Sequence, residues 1–488
     1  MFLDNPAIWL FAAIAVPCGF LAIKYWQGAL FGAFVLVVFE GALRKWAFPW
    51  AQAYLYFVKD AIILAAYLGF ILDSRRNRSM IKGTGLIKFV LLVCVVWGFI
   101  EVLNPYSPSI LVGLIGLKAY FLYAPIAFIL PYAIKSREHL FVLIRRYLIV
   151  AIPVAVLGFI QIIAGPASIL NTYVQQSEDA TPDMVAYFGH ENFVRTSGTF
   201  SYISGYTAFL TFVAFLAVGY NMAHGWRIKN NVTPILTLGL LIGAMFTTGS
   251  RAPVFYLLAA SPVILWYSAT TGILSRQAVM RLCLILPIVA ILALNASPRA
   301  FEAFMERTEE ANTRGETLER FFLPLNQTIS VLSDVPALGT GIGTSHPAAL
   351  SLMGARFPWW LPHGTVTEDE ISRVMVEQGP IGFLLNYFLR FLIAAFALRC
   401  ARSFKDPAYR ALGIVLAVWL LLGIPMGIYI NVIHSLYYWG TLGLVLAMRR
   451  LEQFGGAEFE TVLVRTADRT TNLQPGMPKA GVVRREPP

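Results

Sequence analysis

The sequence predicts an all-α polytopic membrane protein, and its composition, its apolar runs and its basic loops all indicate this. Of its 488 residues, 57% are hydrophobic and 13% are charged, and the mean hydropathy is +0.65. About a quarter of the residues of a soluble globular protein are charged. Apolar runs of roughly 17–25 residues recur along the chain, and each is long enough to cross a bilayer as a helix.

Hydropathy predicts about 12–13 transmembrane helices. Because apolar runs continue through the whole length, the first is expected to be a membrane anchor and not a cleaved signal peptide. The expected spans lie at 7–23, 27–43, 54–72, 86–103, 109–134, 141–164, 201–222, 233–248, 252–271, 282–296, 379–398, 409–430 and 434–448.

Basic residues mark alternate loops, at 75–82, 135–146, 227–229, 276–281, 399–410 and 449–450. Lys and Arg accumulate in the cytoplasmic loops of bacterial membrane proteins, so these loops are predicted to be cytoplasmic. Three segments are then predicted to lie on the periplasmic face: 165–200, 247–252 and one large, partly helical loop, 297–378. The net charge of +11 is attributed to topology and to anionic membrane lipids, not to nucleic acid.

The chain is expected to form one transmembrane domain, 1–450, followed by a polar, disordered cytoplasmic tail, 451–488. Its four cysteines have no C-x-x-C spacing and no neighbouring histidine cluster, which argues against a disulfide framework and a thiolate metal site. The glycines at 339, 341 and 343 lack the flanking strand and helix of a nucleotide loop, so we predict a tight turn there.

Two arginines, Arg195 and Arg251, stand beside Ser, Thr and Gly on the predicted outer face. A guanidinium matches phosphate oxygens in a bidentate fashion, and nearby hydroxyls can add donors. The alternative is an ordinary helix-start cap. A cap explains the hydroxyls but not two outward-facing arginines, and the sequence therefore favours an anion site.

Ionisable residues also interrupt the apolar runs. Each costs about 2.5–3.5 kcal/mol at membrane depth, so such residues usually face a cavity or a partner. One interpretation is an outward-opening polar cavity, in which Lys118, the deepest, touches a ligand headgroup. The other is a set of ion pairs that lock helices together. The residues are Glu40, Arg44, Lys45, Lys59, Asp60, Glu101 and Lys118.

Carboxylates precede the predicted span at 379–398. Glu368 is a candidate general base, or alternatively an N-terminal helix cap. For Asp369 and Glu370 the capping interpretation is favoured. His363 is a second candidate base, although a lone loop histidine is more often incidental.

Together these segments resemble the O-antigen ligase and O-antigen polymerase superfamily, over roughly residues 30–450. The resemblance depends on the order and spacing of several short motifs. They are Glu40–Trp46 (EGALRKW), Tyr56–Asp60 (YFVKD), Arg195–Phe200 (RTSGTF), Gly249–Arg251 (GSR), Pro336–Gly343 (PALGTGIG) and Glu377–Gly382 (EQGPIG).

The resemblance implies a metal-independent, inverting glycosyl transfer without a cofactor, in which arginines hold a lipid pyrophosphate leaving group. Arg195 and Arg251 match that role, and Arg320 is a further candidate. Arg44 and Lys118 join them as candidate contacts. One departure is that Glu368 and Asp369 stand where ligases carry His-Asn, which favours a carboxylate base or His363.

The resemblance therefore implies an inner-membrane enzyme with a periplasmic site that polymerises undecaprenyl-pyrophosphate-linked oligosaccharides into exopolysaccharide, capsule or O-antigen, and we expect this function. Other polysaccharide assembly proteins are candidate partners. A ligase that moves finished glycan to a lipid or protein acceptor is one alternative. A lipid-linked glycan transporter or flippase is another, and it would show polar groups at mid-membrane and paired broken helices.

Overall fold

A computed structural model describes residues 17–73, 81–174, 186–188, 193–226, 228–270, 316–332, 335–346 and 369–471, with the single positions 302, 305, 306, 309 and 349. These residues are mostly helical. The helices are α1 (Trp26–Ala42), α2 (Gln52–Leu72), α3 (Gly85–Val102), α4 (Ile110–Phe121), α5 (Ile126–Ala133), α6 (Arg137–Ala164), α7 (Ile203–Ala223), α8 (Ile228–Thr247), α9 (Ala252–Thr270), α10 (Glu316–Leu332), α11 (Glu370–Ser403), α12 (Pro407–Leu422) and α13 (Val432–Thr471).

Short elements complete the described part. A π-helical turn, Leu43–Ala47, extends α1, and 3-10 turns lie at Pro49–Ala51 and Ile169–Asn171. Strands β1 (Tyr187–Phe188) and β2 (Phe193–Val194) pair in antiparallel fashion, with Tyr187 opposite Val194.

Seven helices among the described residues are long and apolar enough to cross a membrane. An eighth span results if α4 and α5, which meet at a bend of 43°, are counted as one. The prediction of an all-α polytopic membrane protein is thus confirmed. The predicted spans at 7–23 and 282–296 lie wholly or mostly outside the described residues.

Two predicted ends differ from the structure. The span expected to reach 430 ends as α12 at Leu422, because Gly423 and Pro425 interrupt the helix. Helix α13 continues to Thr471, past residue 451 where the sequence predicts a tail to begin. Residues 472–488 lie outside the described part.

The core forms where α7, α12 and α13 pack together. Phe212 of α7 stacks on Tyr437 of α13 at a centroid distance of 4.2 Å, and Trp419 of α12 lies 5.7 Å from Phe212. Helix α7 is 83% buried in its most apolar window, whereas α2 is 28% buried. A helix as buried as α7 is enclosed by protein, whereas a helix as exposed as α2 faces lipid.

Basic loops from four parts of the chain meet at one end of the helix bundle, which we call the basic end. There Arg137 Nε donates to Asp406 Oδ2 at 2.6 Å, and Arg449 Nε donates to the Lys82 carbonyl at 3.0 Å. Trp26 at the start of α1 donates to Asp73 at the end of α2. Four of the loops predicted to share one side of the membrane therefore lie together, through Lys82, Arg137, Asp406 and Arg449, while the loop at 276–281 lies outside the described residues.

The opposite end, which we call the cluster end, gathers the end of α1 and the loops before α7 and α9. Thr196 N donates to the Thr247 carbonyl at 3.1 Å, and Trp46 Nε1 donates to the Ile169 carbonyl at 3.0 Å. Helix α1 thus starts at the basic end and finishes at the cluster end.

Candidate functional site

Gly41 brings the end of α1 into direct contact with the loop before α7. A Cβ at this position would lie 2.2 Å from the amide nitrogen of Ser201 and 2.5 Å from the Thr199 carbonyl oxygen. Only glycine permits that approach. The contact places Arg44 and Lys45, one turn later, against the segment that begins at Arg195.

Glu40 lies between two cations. Lys59 Nζ is 2.9 Å from Glu40 Oε2, and Arg44 Nη1 is 3.4 Å from Glu40 Oε1. Arg44 Nη1 also donates to Ser201 Oγ at 3.0 Å. These bonds join α1, α2 and the loop before α7 at the cluster end.

Asp60 lies between α4 and the α4–α5 bend. Lys118 Nζ approaches Asp60 Oδ2 to 2.6 Å, and the Tyr123 hydroxyl donates to Asp60 Oδ1. Asp60 is buried, while the side chain of Lys118 keeps 18% of its surface exposed. Lys118 therefore pairs with a buried carboxylate, while part of its own side chain remains exposed.

The ring of Tyr56 is surrounded by three cations. Lys59 Nζ lies 4.1 Å from its centroid, Lys118 Nζ 4.2 Å and the Arg44 guanidinium carbon 5.3 Å. The electron-rich face of an aromatic ring attracts cations, and this effect partly offsets the repulsion among them. We call Glu40, Arg44, Tyr56, Lys59, Asp60 and Lys118 the cationic cluster, since it holds three cations and two carboxylates.

Lys45 adds a fourth cation beside this cluster. It is 8% exposed, and its Nζ donates to Ser197 Oγ at 3.0 Å and to the Gly198 carbonyl at 2.8 Å. Among the residues that the structure describes, no carboxylate lies within ion-pair distance of Lys45. A buried ammonium with only neutral partners favours the approach of an anion.

Arg195 lies where the loops before α7 and α9 meet. Its Nε donates to the Thr248 carbonyl at 3.1 Å, and its own carbonyl accepts the Tyr173 hydroxyl. Burial lowers the pKa of Arg195, although a guanidinium remains charged at neutral pH. Arg251 stands immediately before α9, three residues after Thr248. The two predicted arginines are thus brought to neighbouring loops.

Helix α11 breaks at Gly379, which has a φ of 63° and is followed by Pro380. The break frees two carbonyls, and residues 335–346, which we call the glycine turn, satisfy them. Thr340 N donates to the Val376 carbonyl at 2.8 Å, and Gly341 N donates to the Glu377 carbonyl at 3.0 Å. The predicted tight turn is confirmed, with positive φ at all three of its glycines.

Glu377 joins the glycine turn to α4. The Tyr120 hydroxyl donates to Glu377 Oε2 at 2.8 Å, while Ser345 donates to Oε1 through its amide at 3.0 Å and through its hydroxyl. Glycine also permits contact between these elements, because a Cβ on Gly116 would lie 2.6 Å from Gly343 N. The glycine turn is therefore held between two interrupted helices.

His346 ends the glycine turn near two cations. Burial and the positive charges of Lys118 and Arg373 lower the pKa of His346 to about 4. The imidazole is thus neutral at pH 7 and able to accept a proton. Arg373 is 8% exposed, and its Nε has no hydrogen-bond partner within the described part of the chain.

The predicted site residues divide into three groups. Arg44 and Lys118 belong to the cationic cluster, and Arg195 and Arg251 lie on neighbouring loops at the same end. Arg320 is on α10, but its side chain is outside the described part. His363 and Glu368 also fall outside the described residues. Helix-locking ion pairs, the alternative for the ionisable residues, are present for Glu40, Lys59, Asp60 and Lys118.

Glu370 has a role that the capping interpretation did not predict. Asp369 is the N-cap of α11 and accepts the Ser372 amide at 2.9 Å, as expected. Glu370, in contrast, is buried in an ion pair with Arg390 and accepts the Tyr429 amide at 2.6 Å. It binds a distant backbone segment because α12 ends early and leaves that segment without helical hydrogen bonds.

Sequence reasoning did not identify Tyr56, His346 or Arg373 as functional residues. Tyr56 could have been found, because it precedes Lys59 by three positions and so shares its helix face. His346 and Arg373 carry no such signal, since only the folded glycine turn brings them near Lys118.

The arrangement can bind an anion and accept a proton. Arg44, Lys45, Lys59 and Lys118 lie close together at the cluster end, on which Arg195 and Arg251 also lie, and a neutral imidazole lies near Lys118. No group of three or more metal-ligating side chains occurs in the described ranges. No protein-family model matches the chain, and no curated protein matches it in sequence.

Proposed function

We propose that this protein is a bacterial inner-membrane glycosyltransferase that polymerises glycan repeat units carried on undecaprenyl pyrophosphate. The observation that carries the proposal is the surplus of positive charge at the cluster end. Within the described part of the chain, Arg44, Lys59 and Lys118 share two carboxylates, Glu40 and Asp60, and Lys45 pairs with neither.

A pyrophosphate group suits this surplus. Burying an uncompensated charge is unfavourable, and an anionic ligand offsets the imbalance. Lys45 supports the idea most directly, because it is buried and its partners, Ser197 Oγ and the Gly198 carbonyl, are both neutral. Its contact with Ser197 and Gly198, in the loop segment that begins at Arg195, supports one continuous anion site.

In the proposed reaction, a sugar hydroxyl of one lipid-linked repeat attacks the anomeric carbon of another. The C–O bond to pyrophosphate breaks, and Arg195 and Arg251 stabilise the leaving group. Glu368 and His363 remain candidate bases that take the proton of the attacking hydroxyl. His346 is a third candidate because its imidazole is neutral at pH 7. The reaction needs neither metal nor nucleotide.

A ligase of the same chemistry is the nearest alternative, and the type of lipid-linked glycan that accumulates in a deletion strain separates the two. Single repeats indicate a polymerase, and long polymer indicates a ligase. A transporter is favoured by one specific observation. The bent α4–α5 pair and the broken α11 meet through Tyr120 and Glu377, as paired broken helices do in transporters.

The test of the enzyme proposal uses purified protein and lipid-linked repeat unit, without metal or nucleotide, with polymer length read on a gel. Wild-type protein is expected to produce a ladder. Lys45→Met is expected to lower the rate by about 100-fold, the loss typical of one charge contact in a transition state. Lys24→Met, an exposed lysine preceding α1, is the matched control and should leave the ladder unchanged.

A thermal unfolding curve accompanies each variant, so that loss of activity is separated from loss of fold. Folded Lys45→Met protein with wild-type polymer length would contradict the proposed anion site. Glycan flipping in vesicles without any glycosyl transfer would instead support the transporter.

A further inference from the structure

A cavity of about 300 Å³ lies between α1, α6, α7 and α13. Its walls are almost entirely apolar, and its volume lies at the lower end of the roughly 300–1,000 Å³ common for ligand sites. Phe31, Leu143 and Leu444 are among the wall residues, and Arg146 is the charged residue among them.

The cavity opens towards the outside of the bundle. Val35 on its α1 wall is 38% exposed, and Gly32 and Arg146 are also exposed. These helices cross the membrane, so the opening faces lipid and not water. An empty cavity there would forfeit dispersion contacts that a hydrocarbon chain can supply.

Arg146 is separate from the cationic cluster. It precedes Gln161 on α6 by about four turns, or roughly 22 Å at 1.5 Å per residue. Gln161 is at the cluster end, since it donates to the Gly198 carbonyl at 3.2 Å. From Tyr147 to Ala164 the helix carries no charged residue, so Arg146 stands at the headgroup boundary on the basic end.

The polar groups of the cavity are arranged for a lipid. The Tyr147 hydroxyl is occupied, because it bonds to the Phe34 carbonyl at 3.2 Å and to the Tyr437 hydroxyl at 2.8 Å. Arg146, in contrast, makes no ion pair with any described carboxylate. The apolar cavity, which we call the slot, is therefore bordered by one guanidinium without a described carboxylate partner.

We propose that this cavity binds an anionic phospholipid of the bilayer, with one acyl chain in the slot and its phosphate on Arg146. Charge complementarity and the headgroup depth of Arg146 support this occupant. The site lies at the opposite end of the bundle from the proposed anion site, and the inference does not depend on the proposed function.

Native mass spectrometry of the purified full-length protein, after addition of phosphatidylglycerol or phosphatidylcholine, tests the proposal. Wild-type protein is expected to retain one phosphatidylglycerol in preference to phosphatidylcholine. Gly32→Leu should abolish retention, because a side chain at Gly32 meets no atom within 4 Å and would extend into the slot. Arg146→Gln should weaken retention about tenfold, as expected for one lost charge-assisted hydrogen bond.

Each variant has a matched control. Gly28→Leu adds the same side chain to α1, also with no atom within 4 Å, but outside the cavity lining. Arg145→Gln removes the same charge from the neighbouring position, which does not line the cavity. Both controls should retain the lipid as wild-type protein does.

Three outcomes would overturn the proposal. The first is equal retention of phosphatidylglycerol in Gly32→Leu and Gly28→Leu protein. The second is that Arg146→Gln protein retains phosphatidylglycerol and phosphatidylcholine to the same extent as wild-type protein does. The third is displacement of phosphatidylglycerol by undecaprenyl phosphate at equal concentration, which would assign the cavity to an isoprenyl chain.

Discussion

At the scale of single residues, Glu370 and Arg390 show why a buried ion pair is retained within the bundle. The chain between α12 and α13 is not helical, and its backbone groups need partners at membrane depth. Arg390 Nη1 donates to the Ile424 carbonyl at 2.7 Å, and Glu370 Oε2 accepts the Tyr429 and Ile430 amides at 2.6 and 3.1 Å. The pair thus replaces the helical hydrogen bonds that the segment lacks.

Removing one member of this pair should destabilise the protein strongly. Glu370→Ala leaves the Arg390 charge and two backbone amides without their acceptor, and we expect a loss of about 3–5 kcal/mol. The neighbouring Asp369→Ala removes only a helix cap and should cost about 0.5–2 kcal/mol. The measurement is the midpoint of thermal unfolding in detergent, and equal shifts in the two variants would contradict this account.

At the scale of elements, the break in α11 and the glycine turn depend on each other. Gly379 adopts a left-handed conformation, and a Cβ there would lie 2.3 Å from the Ala337 carbonyl oxygen. Gly339 has the reciprocal restriction, since its Cβ would lie 2.5 Å from Gly379 N. The two glycines allow the turn to reach the freed carbonyls of α11 and so to position His346.

Gly379→Ala is expected to displace the glycine turn and to destabilise the fold by about 1–3 kcal/mol. Gly85→Ala is the control, because no atom lies within 4 Å of a Cβ at that helical position. Hydrogen exchange of the amides of Thr340 and Gly341 gives the measurement. Faster exchange is expected in Gly379→Ala protein alone, and unchanged protection would mean that the turn does not depend on the break.

At the scale of the whole molecule, charge is divided between two ends. The basic end holds loops whose arginines bind Asp406 or the Lys82 carbonyl, and the sequence predicts these loops to be cytoplasmic. The cluster end holds cations that interrupt apolar runs. The positive-inside rule does not account for the cations at the cluster end, so these cations have a role other than setting topology.

Cysteine labelling tests the assignment of sides. In a background in which the four native cysteines are replaced by serine, Ala167→Cys at the cluster end should react with an impermeant maleimide in intact spheroplasts. Lys405→Cys at the basic end should react only after permeabilisation; both positions are exposed. The reverse pattern would place the cluster end in the cytoplasm and contradict a periplasmic site.

The amino-acid sequence by itself determined the membrane class, most helix positions and the common end of the basic loops that the structure describes. These properties follow from local hydropathy and charge, which need no knowledge of distant contacts. It also placed Arg44, Lys118, Arg195 and Arg251 among the candidates, because a charge or a polar loop in an apolar context is visible locally.

Only the tertiary structure decided which charges are paired and which are in surplus. Lys59 binds Glu40 and Asp60 binds Lys118, although Lys59 and Asp60 are adjacent in the chain. Partners on separate helices are selected by packing, and glycines such as Gly41 fix that packing by permitting backbone contact. The positive charge of Lys45, which has no described carboxylate partner, and the apolar slot beside Arg146 arise from the same cause, since both are properties of the space between helices.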